Sequence, residues 1–306
     1  MKKVICFLLF SFLSIMAGCK GILLDPSTGE TKSSLIIGMT DAPIDEAKEI
    51  VVTVTKIEIS KDGVAWEEYF NAENEGEQEQ IIDLLSYSKG EVFLFDTKEF
   101  AAGQYAQIRL YLSEAYILFD GESERTTLDI DSSVTTNGVT VASGFELEEG
   151  VTTELTIDFD MRKSIVKQTV PTLQYSLKPN LRLVTNNLSG NIIVTEDIIT
   201  VQKVVYFLYP AGYDVSGELT EDEALEAING GDENAIAYKS SSNSAISYID
   251  FEGDGLLKVF FSFMPFGSYD LYELDPSIGE LITPAKQINI TISADDSGSV
   301  VIPSPQ

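Results

Sequence analysis

The stretch Leu155-Thr-Ile-Asp-Phe-Asp160 sets apolar Leu155, Ile157 and Phe159 against polar Thr156, Asp158 and Asp160. A period of two is the repeat of an extended chain, whose side chains point alternately to the two faces of a sheet. Tyr105-Ala-Gln-Ile-Arg-Leu-Tyr-Leu112 repeats the pattern: Ala106, Ile108, Leu110 and Leu112 share one face, Tyr105, Gln107, Arg109 and Tyr111 the other. Glu49 to Ser60 is rich in Val, Ile and Thr, but its apolar phase shifts near Lys56. A β-bulge produces such a shift, and so does a strand covered on both faces. Asp62-Gly63, Asp120-Gly121 and Asn137-Gly138 punctuate these runs as turns, and the acidic, polar stretch Asn71 to Gln80 reads as an exposed loop. From Ser34 to Thr185 the chain is therefore of strand type. Short strands at this spacing predict an all-β sandwich or barrel.

Asn186-Asn-Leu-Ser-Gly190 reads as a junction, after which strand patterns resume at 191–195, 201–209, 245–250, 256–263, 269–273 and 287–293. One helix interrupts them. Thr220 and Glu223 form a capping box, Ala224, Leu225 and Ile228 an apolar stripe, and Asn229-Gly-Gly231 a stop. The simplest parse is two successive β domains, 34–185 and 190–302, with one short helix inserted in the second. Both halves contain a Gly two residues before a Tyr that opens an alternating strand: Gly103 and Tyr105 within 100–108, Gly267 and Tyr269 within 263–271. The Gly permits a tight turn and the Tyr ring anchors strand entry by its burial.

The N-terminus reads as a secretory leader: Lys2 and Lys3, an apolar run from Val4 to Met16, then Ala17-Gly18. The apolar run is shorter than the ~20 residues a membrane span needs. Cys19 directly after Ala-Gly resembles a bacterial lipobox, so residues 1–18 are expected to be removed and Cys19 to carry lipid. Residues 19–33, rich in Gly, Ser, Thr and Pro, then serve as a tether. Lys20, with no Asp after Cys19, would suit an outer-membrane destination.

Composition narrows the chemistry. At 44% hydrophobic and 10% aromatic the chain can fill real cores. Its formal charge of −29 grows more negative once Lys2 and Lys3 leave, and repels phosphate backbones and anionic head groups, which excludes nucleic acid as a partner. Membrane contact is expected through the lipid on Cys19 alone. Histidine is absent, and Cys6 and Cys19 are the only cysteines, so the mature chain lacks the usual general base, the commonest transition-metal ligand and any free thiol. What remains is oxygen chemistry: carboxylate pairs, or a hard cation such as calcium.

Four segments together resemble family 4382 among the domains of unknown function, found in lipid-anchored or secreted bacterial proteins. They are Met39-Thr-Asp-Ala-Pro43 with the strand that follows, Asp62-Gly63 with Trp66, Ala102 to Leu110, and Leu155 to Asp160 with Lys163-Ser-Ile-Val166 and Leu177 to Leu183. The resemblance spans residues 34–185 and implies no activity. Residues 188–300 resemble more loosely the prealbumin-like sandwich modules akin to carboxypeptidase regulatory domains. An acidic Gly turn, an aromatic strand and Pro-x-Gly-x-Tyr run here from Asp250 to Tyr269, and the helix at 220–229 is then an insertion.

Three groups of residues could carry function. Asp250-Phe-Glu-Gly-Asp-Gly255 imitates the start of an EF-hand loop but has Phe261 where the closing Glu belongs, so it reads as a turn between strands. Asp158 and Asp160 share a strand face and Asp41 begins a turn. Together they could hold calcium, or could bond backbone amides and the nearby Arg162, Lys163 or Arg182. Tyr105, Tyr111, Tyr116, Trp66 and Tyr69 could form a sugar-stacking platform, or serve as core and cross-strand pairs. The expected protein is a lipid-anchored, non-enzymatic envelope module for adhesion or glycan binding, built of two β-sandwiches of prealbumin- or immunoglobulin-like type. It needs no cofactor unless calcium binds, and its partner is a polysaccharide or surface protein. The alternatives are a carboxylate-based glycoside hydrolase and a calcium-dependent binding protein.

Overall fold

In the first half, the principal strands are β1 (Lys32–Ala42), β2 (Ala47–Ser60), β3 (Glu67–Asn71), β4 (Gln80–Asp83), β5 (Gln107–Phe119), β6 (Thr152–Asp160) and β7 (Leu181–Thr185). The second half supplies β8 (Ser189–Asp197), β9 (Val204–Pro210), β10 (Asn243–Ser247), β11 (Leu256–Pro265), β12 (Gly267–Asp275), β13 (Gln287–Ile292) and β14 (Ser299–Ile302). The helices are α1 (Ser132–Asn137), α2 (Met161–Ser164) and α3 (Glu221–Asn229). The computed structural model describes residues 31–42, 47–197, 204–247, 256–296 and 299–302. The leader, Cys19 and the EF-hand-like stretch 250–255 lie outside the described residues. Strand β1 begins at Lys32, so the last two residues of the expected tether are already paired.

The β2–β5 ladder shows how the sequence builds the first sheet. The two long strands run antiparallel, with Ile50 opposite Ile117, Ile57 opposite Leu110 and Ile59 opposite Ile108. The register slips between Thr53 and Val54 and again between Val54 and Lys56. The slips leave Ser113 of β5 and Thr55 of β2 without a direct partner in the ladder. Each extra residue inverts the side-chain parity beyond it. Val54 and Ile57, an odd number of residues apart, are therefore both fully buried, which accounts for the phase shift near Lys56.

A second sheet orders β7, β6 and β1, extended by Phe93–Leu94, with Lys98–Ala101 also pairing β1. β1 and β6 run parallel, Ile37 beside Leu155, Met39 beside Ile157 and Asp41 beside Phe159. The apolar face of β6 and the inward residues of β2 and β5 meet in one core, where Leu35, Ile37, Leu155, Ile157 and Phe159 lie against Ile50, Ile57 and Leu110. Each such side chain contributes about 1.5–3 kcal/mol on burial.

In the second half, β8 pairs antiparallel with β11 and parallel with β14. The other sheet orders β10, β9 and β12, with β13 and Glu280–Leu281 on β12. Tyr206 and Leu208 face a core shared with Ile192, Val259 and Phe261. Their neighbours Val205, Phe207 and Tyr209 face the opposite side, against Tyr238, Tyr272 and Leu274. Covering both faces of β9 explains its unbroken apolar run. Helix α3 starts at Thr220 with both bonds of the capping box in place. Its Ile228 packs with Ala235 and with Val166 of the first half, so the inserted helix touches both halves.

Candidate functional site

The three aspartates singled out as a metal site are kept apart by register. Asp41 lies beside Phe159 across the β1–β6 ladder and so shares the core-side face with Met39 and Ile157. Asp158 and Asp160 occupy the opposite face, because successive residues of a strand alternate. Among the described residues, no group of three or more Asp, Glu or Cys is placed to hold a metal ion. The chain's own cations stand where a calcium ion would have been needed. Asp158 is bonded by the Arg182 guanidinium, its Nε at 3.1 Å. Asp160 meets Lys163 Nζ at 3.0 Å and also accepts the Lys163 backbone N–H, capping α2. Asp41 accepts the Met161 N–H at 3.3 Å. Burial pushes the Asp158 carboxyl up, against the pull of Arg182.

These ion pairs sit where the halves meet. Lys163 Nζ donates to the Ser241 carbonyl at 2.5 Å, and Arg182 reaches the Ser262 carbonyl and Met264 Sδ, each at 3.4 Å. Arg162 pairs with Glu221 at the start of α3, and the Thr169 N–H donates to Asn229 Oδ1 at its end. The aspartates therefore brace a joint.

The outward face of the β2–β5 sheet is a different kind of surface. Beyond the bulges, Lys56 and Glu58 of β2 and Arg109 and Tyr111 of β5 project to the same side. Glu58 Oε2 accepts Arg109 Nη2 at 2.6 Å, Arg109 Nε at 3.0 Å and the Tyr111 hydroxyl at 2.8 Å, while Lys56 Nζ lies 2.5 Å from Oε1. Burial pushes the Glu58 carboxyl up, but the hydrogen bonds from Lys56, Arg109 and Tyr111 outweigh it and hold it below the usual carboxylate range. The carboxylate in turn fixes the guanidinium, which lies 3.8 Å from the centre of the Trp66 ring. The Asp62-Gly63 turn delivers that ring. Asp62 Oδ1 accepts the Val64 and Ala65 N–H groups at 2.8 Å each, and Gly63 takes a φ of 74° that a side chain would strain.

A second stack stands further along the same sheet. Arg125 lies 4.0 Å from the Tyr116 ring centre and 3.0 Å from Glu49 Oε1. Trp66, Tyr111 and Tyr116 are all half-buried, open on one side to solvent. Tyr105 and Tyr69 do not belong to this platform. Tyr105 stacks on Phe145 at 5.4 Å in the core, and Tyr69 on Phe100 at 6.1 Å, its hydroxyl accepting the Ile37 N–H. Both are nearly fully buried: Tyr105 lies on the separate short strand Gly103–Tyr105 paired with Phe145–Leu147, and Tyr69 sits at a register shift in the β2–β3 pairing. Sequence reasoning passed over Lys56, Glu58, Arg109 and Arg125. The alternation of Arg109 with Leu110 was the available signal, but the bulges hid the matching phase of Lys56 and Glu58.

The protein is an all-β chain in which ion-paired carboxylates organise a joint and an aromatic–guanidinium face. Residues 32–179 match the model of the family described as "Domain of unknown function (DUF4382)", as the ordered motifs implied. No curated protein matches the chain. Two solved structures from Bacteroides ovatus, each described as a "putative adhesin", are similar in extent only. One has 6% identity and a TM-score of 0.21, covering 89% of this chain and 87% of its own. The other has 9% identity and a TM-score of 0.19, covering 89% and 93%. At such scores the likeness carries no argument about fold or function.

Proposed function

We propose that the chain is a non-enzymatic interaction module of the bacterial cell envelope, anchored through lipid on Cys19 at the outer membrane and presenting the outward face of the β2–β5 sheet to a polysaccharide or surface protein. The observation that carries this reading is the pair of guanidinium–aromatic stacks, Arg109 on Trp66 and Arg125 on Tyr116, each locked by a carboxylate. Trp, Tyr and Arg concentrate binding energy at interfaces, and side chains already held in place lose less entropy when a partner docks. The non-enzymatic part is supported by chemistry. The chain has no histidine, and among the described residues the buried carboxylates are engaged within the fold: Glu58, Asp158 and Asp160 each by a cation, Asp41 and Asp270 by backbone N–H groups. Residues 19–31 act as the tether, and 32–185 and 190–302 as two β-sandwiches, the second prealbumin-like.

The test is a panel of envelope and host polysaccharides and immobilised surface proteins, scored for both binding and product release. Saturable binding is expected without turnover, and Trp66→Ala and Tyr116→Ala should each weaken it about tenfold. Turnover of any polysaccharide would overturn the non-enzymatic reading. Binding indifferent to both substitutions would remove the sheet face from it.

A further inference from the structure

On the far side of β9, away from the core of the second half, the chain encloses a groove of about 760 Å³. Its rings are Tyr213, Tyr238 and Tyr272, and its charged groups are Asp214, Glu218, Glu223 and Glu280. Among the described residues that line it there is no Lys, Arg or side-chain amide. The carboxylates are held in place. Glu218 accepts the Tyr213 hydroxyl at 2.9 Å and the Ser240 N–H at 3.3 Å, Glu223 closes the capping box of α3, and Asp214 accepts the Ser216 N–H at 3.0 Å.

A second observation is independent of this charge. Tyr209 is fully buried beneath the groove, stacked on Tyr213 at 5.2 Å and edge-on to Tyr272 at 5.5 Å. Its hydroxyl has no hydrogen-bond partner. Tyr209 does not itself line the groove; it underlies the Tyr213 and Tyr272 rings that do, and its packing holds them in place.

We propose that this groove binds an alkylammonium cation, with Tyr213 and Tyr272 supplying ring faces and Glu218 and Glu280 the countercharge. Ring faces attract cations through their quadrupole, and fixed carboxylates within a concave wall strengthen that attraction. The same lining would repel a phosphate or carboxylate ligand. A lysine side chain and a polyamine share the recognised chemistry, and the site is independent of the β2–β5 face.

Calorimetry on the purified chain tests it with three probes: spermidine, a short lysine peptide, and the same peptide acetylated at Nζ. One-site binding of at least one cationic probe is expected, with none of the acetylated peptide; the tighter of the two cations identifies the source. Tyr213→Ala and Glu280→Gln, both at the accessible rim, should each weaken binding about fivefold. The double substitution Glu73→Gln, Glu75→Gln removes charge from an exposed loop of the other half and should leave binding within twofold. Equal loss in the groove and loop variants would mean attraction to net charge alone, and would overturn the proposal. So would binding of the acetylated peptide, or no binding of either cation at ~10 mM.

Discussion

Tyr105 and Tyr269 make the same hydrogen bond in the two halves of the chain: each phenol donates to the carbonyl four residues upstream, Ala101 at 3.0 Å and Pro265 at 2.7 Å. Each ring is buried, Tyr105 two residues before β5 and Tyr269 two residues into β12, so the hydroxyl must find a partner close by. The Gly two residues earlier leaves room for the chain to fold back. Gly103 does so with a φ of 133°, a backbone state that L side chains rarely adopt.

If this bond closes both corners, Tyr105→Phe and Tyr269→Phe should each lower stability by about 1–2 kcal/mol, since the upstream carbonyl loses its partner while the ring packing survives. Urea midpoints at unchanged slope would measure it. Two neutral substitutions would reduce the shared motif to coincidence.

Glu58 predicts a pH dependence. Its folded-state carboxyl is held below the ordinary range, so the stabilisation it contributes is complete above the unfolded carboxylate pKa and fades as pH falls through the folded one. Glu58→Gln should therefore be less stable than the parent by about 1–3 kcal/mol at pH 7. The gap should narrow steadily as pH drops through the carboxylate range. Denaturation curves for both proteins from pH 7 downward would show it, and a gap that is constant or widens toward acid would contradict the assigned role.

Much of this architecture was legible from period and punctuation. Leu155, Ile157 and Phe159 mark the core face of β6, and Thr220 with Glu223 marks the first turn of α3, because alternation and capping are local properties. The parallel neighbours β1 and β6 were not legible. They are joined by pairing between residues more than a hundred positions apart, such as Ile37 and Leu155, and no local pattern names a strand's partner. The choice between a metal site and structural bonds for the aspartates was open for the same reason. Asp158 and Asp160 share a face within one strand, but whether Asp41 joins them depends on a register that only the folded chain sets. Of the five candidate platform rings, Tyr69 and Tyr105 lie in the core, where a register shift and a separate short strand place them. Trp66, Tyr111 and Tyr116 are half-buried on the outward face.

The proposed anchor has a direct test. Cys19→Ser should abolish incorporation of labelled fatty acid and move the protein out of the detergent phase, since one residue carries all the acyl chains. Normal labelling of that variant would place the lipid elsewhere or nowhere.

The joint between the halves predicts behaviour that a metal site would not. Asp158 is nearly buried and its Arg182 partner largely so, with side chains 5% and 23% exposed. Breaking one partner of such a pair leaves an uncompensated charge, a loss on the order of 3–5 kcal/mol. Asp158→Asn keeps the shape and removes the charge, stranding Arg182 against Ser262 and Met264 of the second half. The melting temperature should fall, and by the same amount with calcium or with chelator present. Lys163→Met should behave alike, because Lys163 ties Asp160 to the Ser241 carbonyl across the same joint. The distinguishing measurement is the parent itself. A cation bound only to the folded state at a hundredfold excess over its dissociation constant would add about 2.7 kcal/mol of stability. A calcium-dependent rise in the parent that vanishes in Asp158→Asn would convert the brace into a binding site. Identical curves in calcium and chelator, with both variants destabilised, leave Asp158 and Asp160 as the ionic hinge-pins that hold the second half against the first.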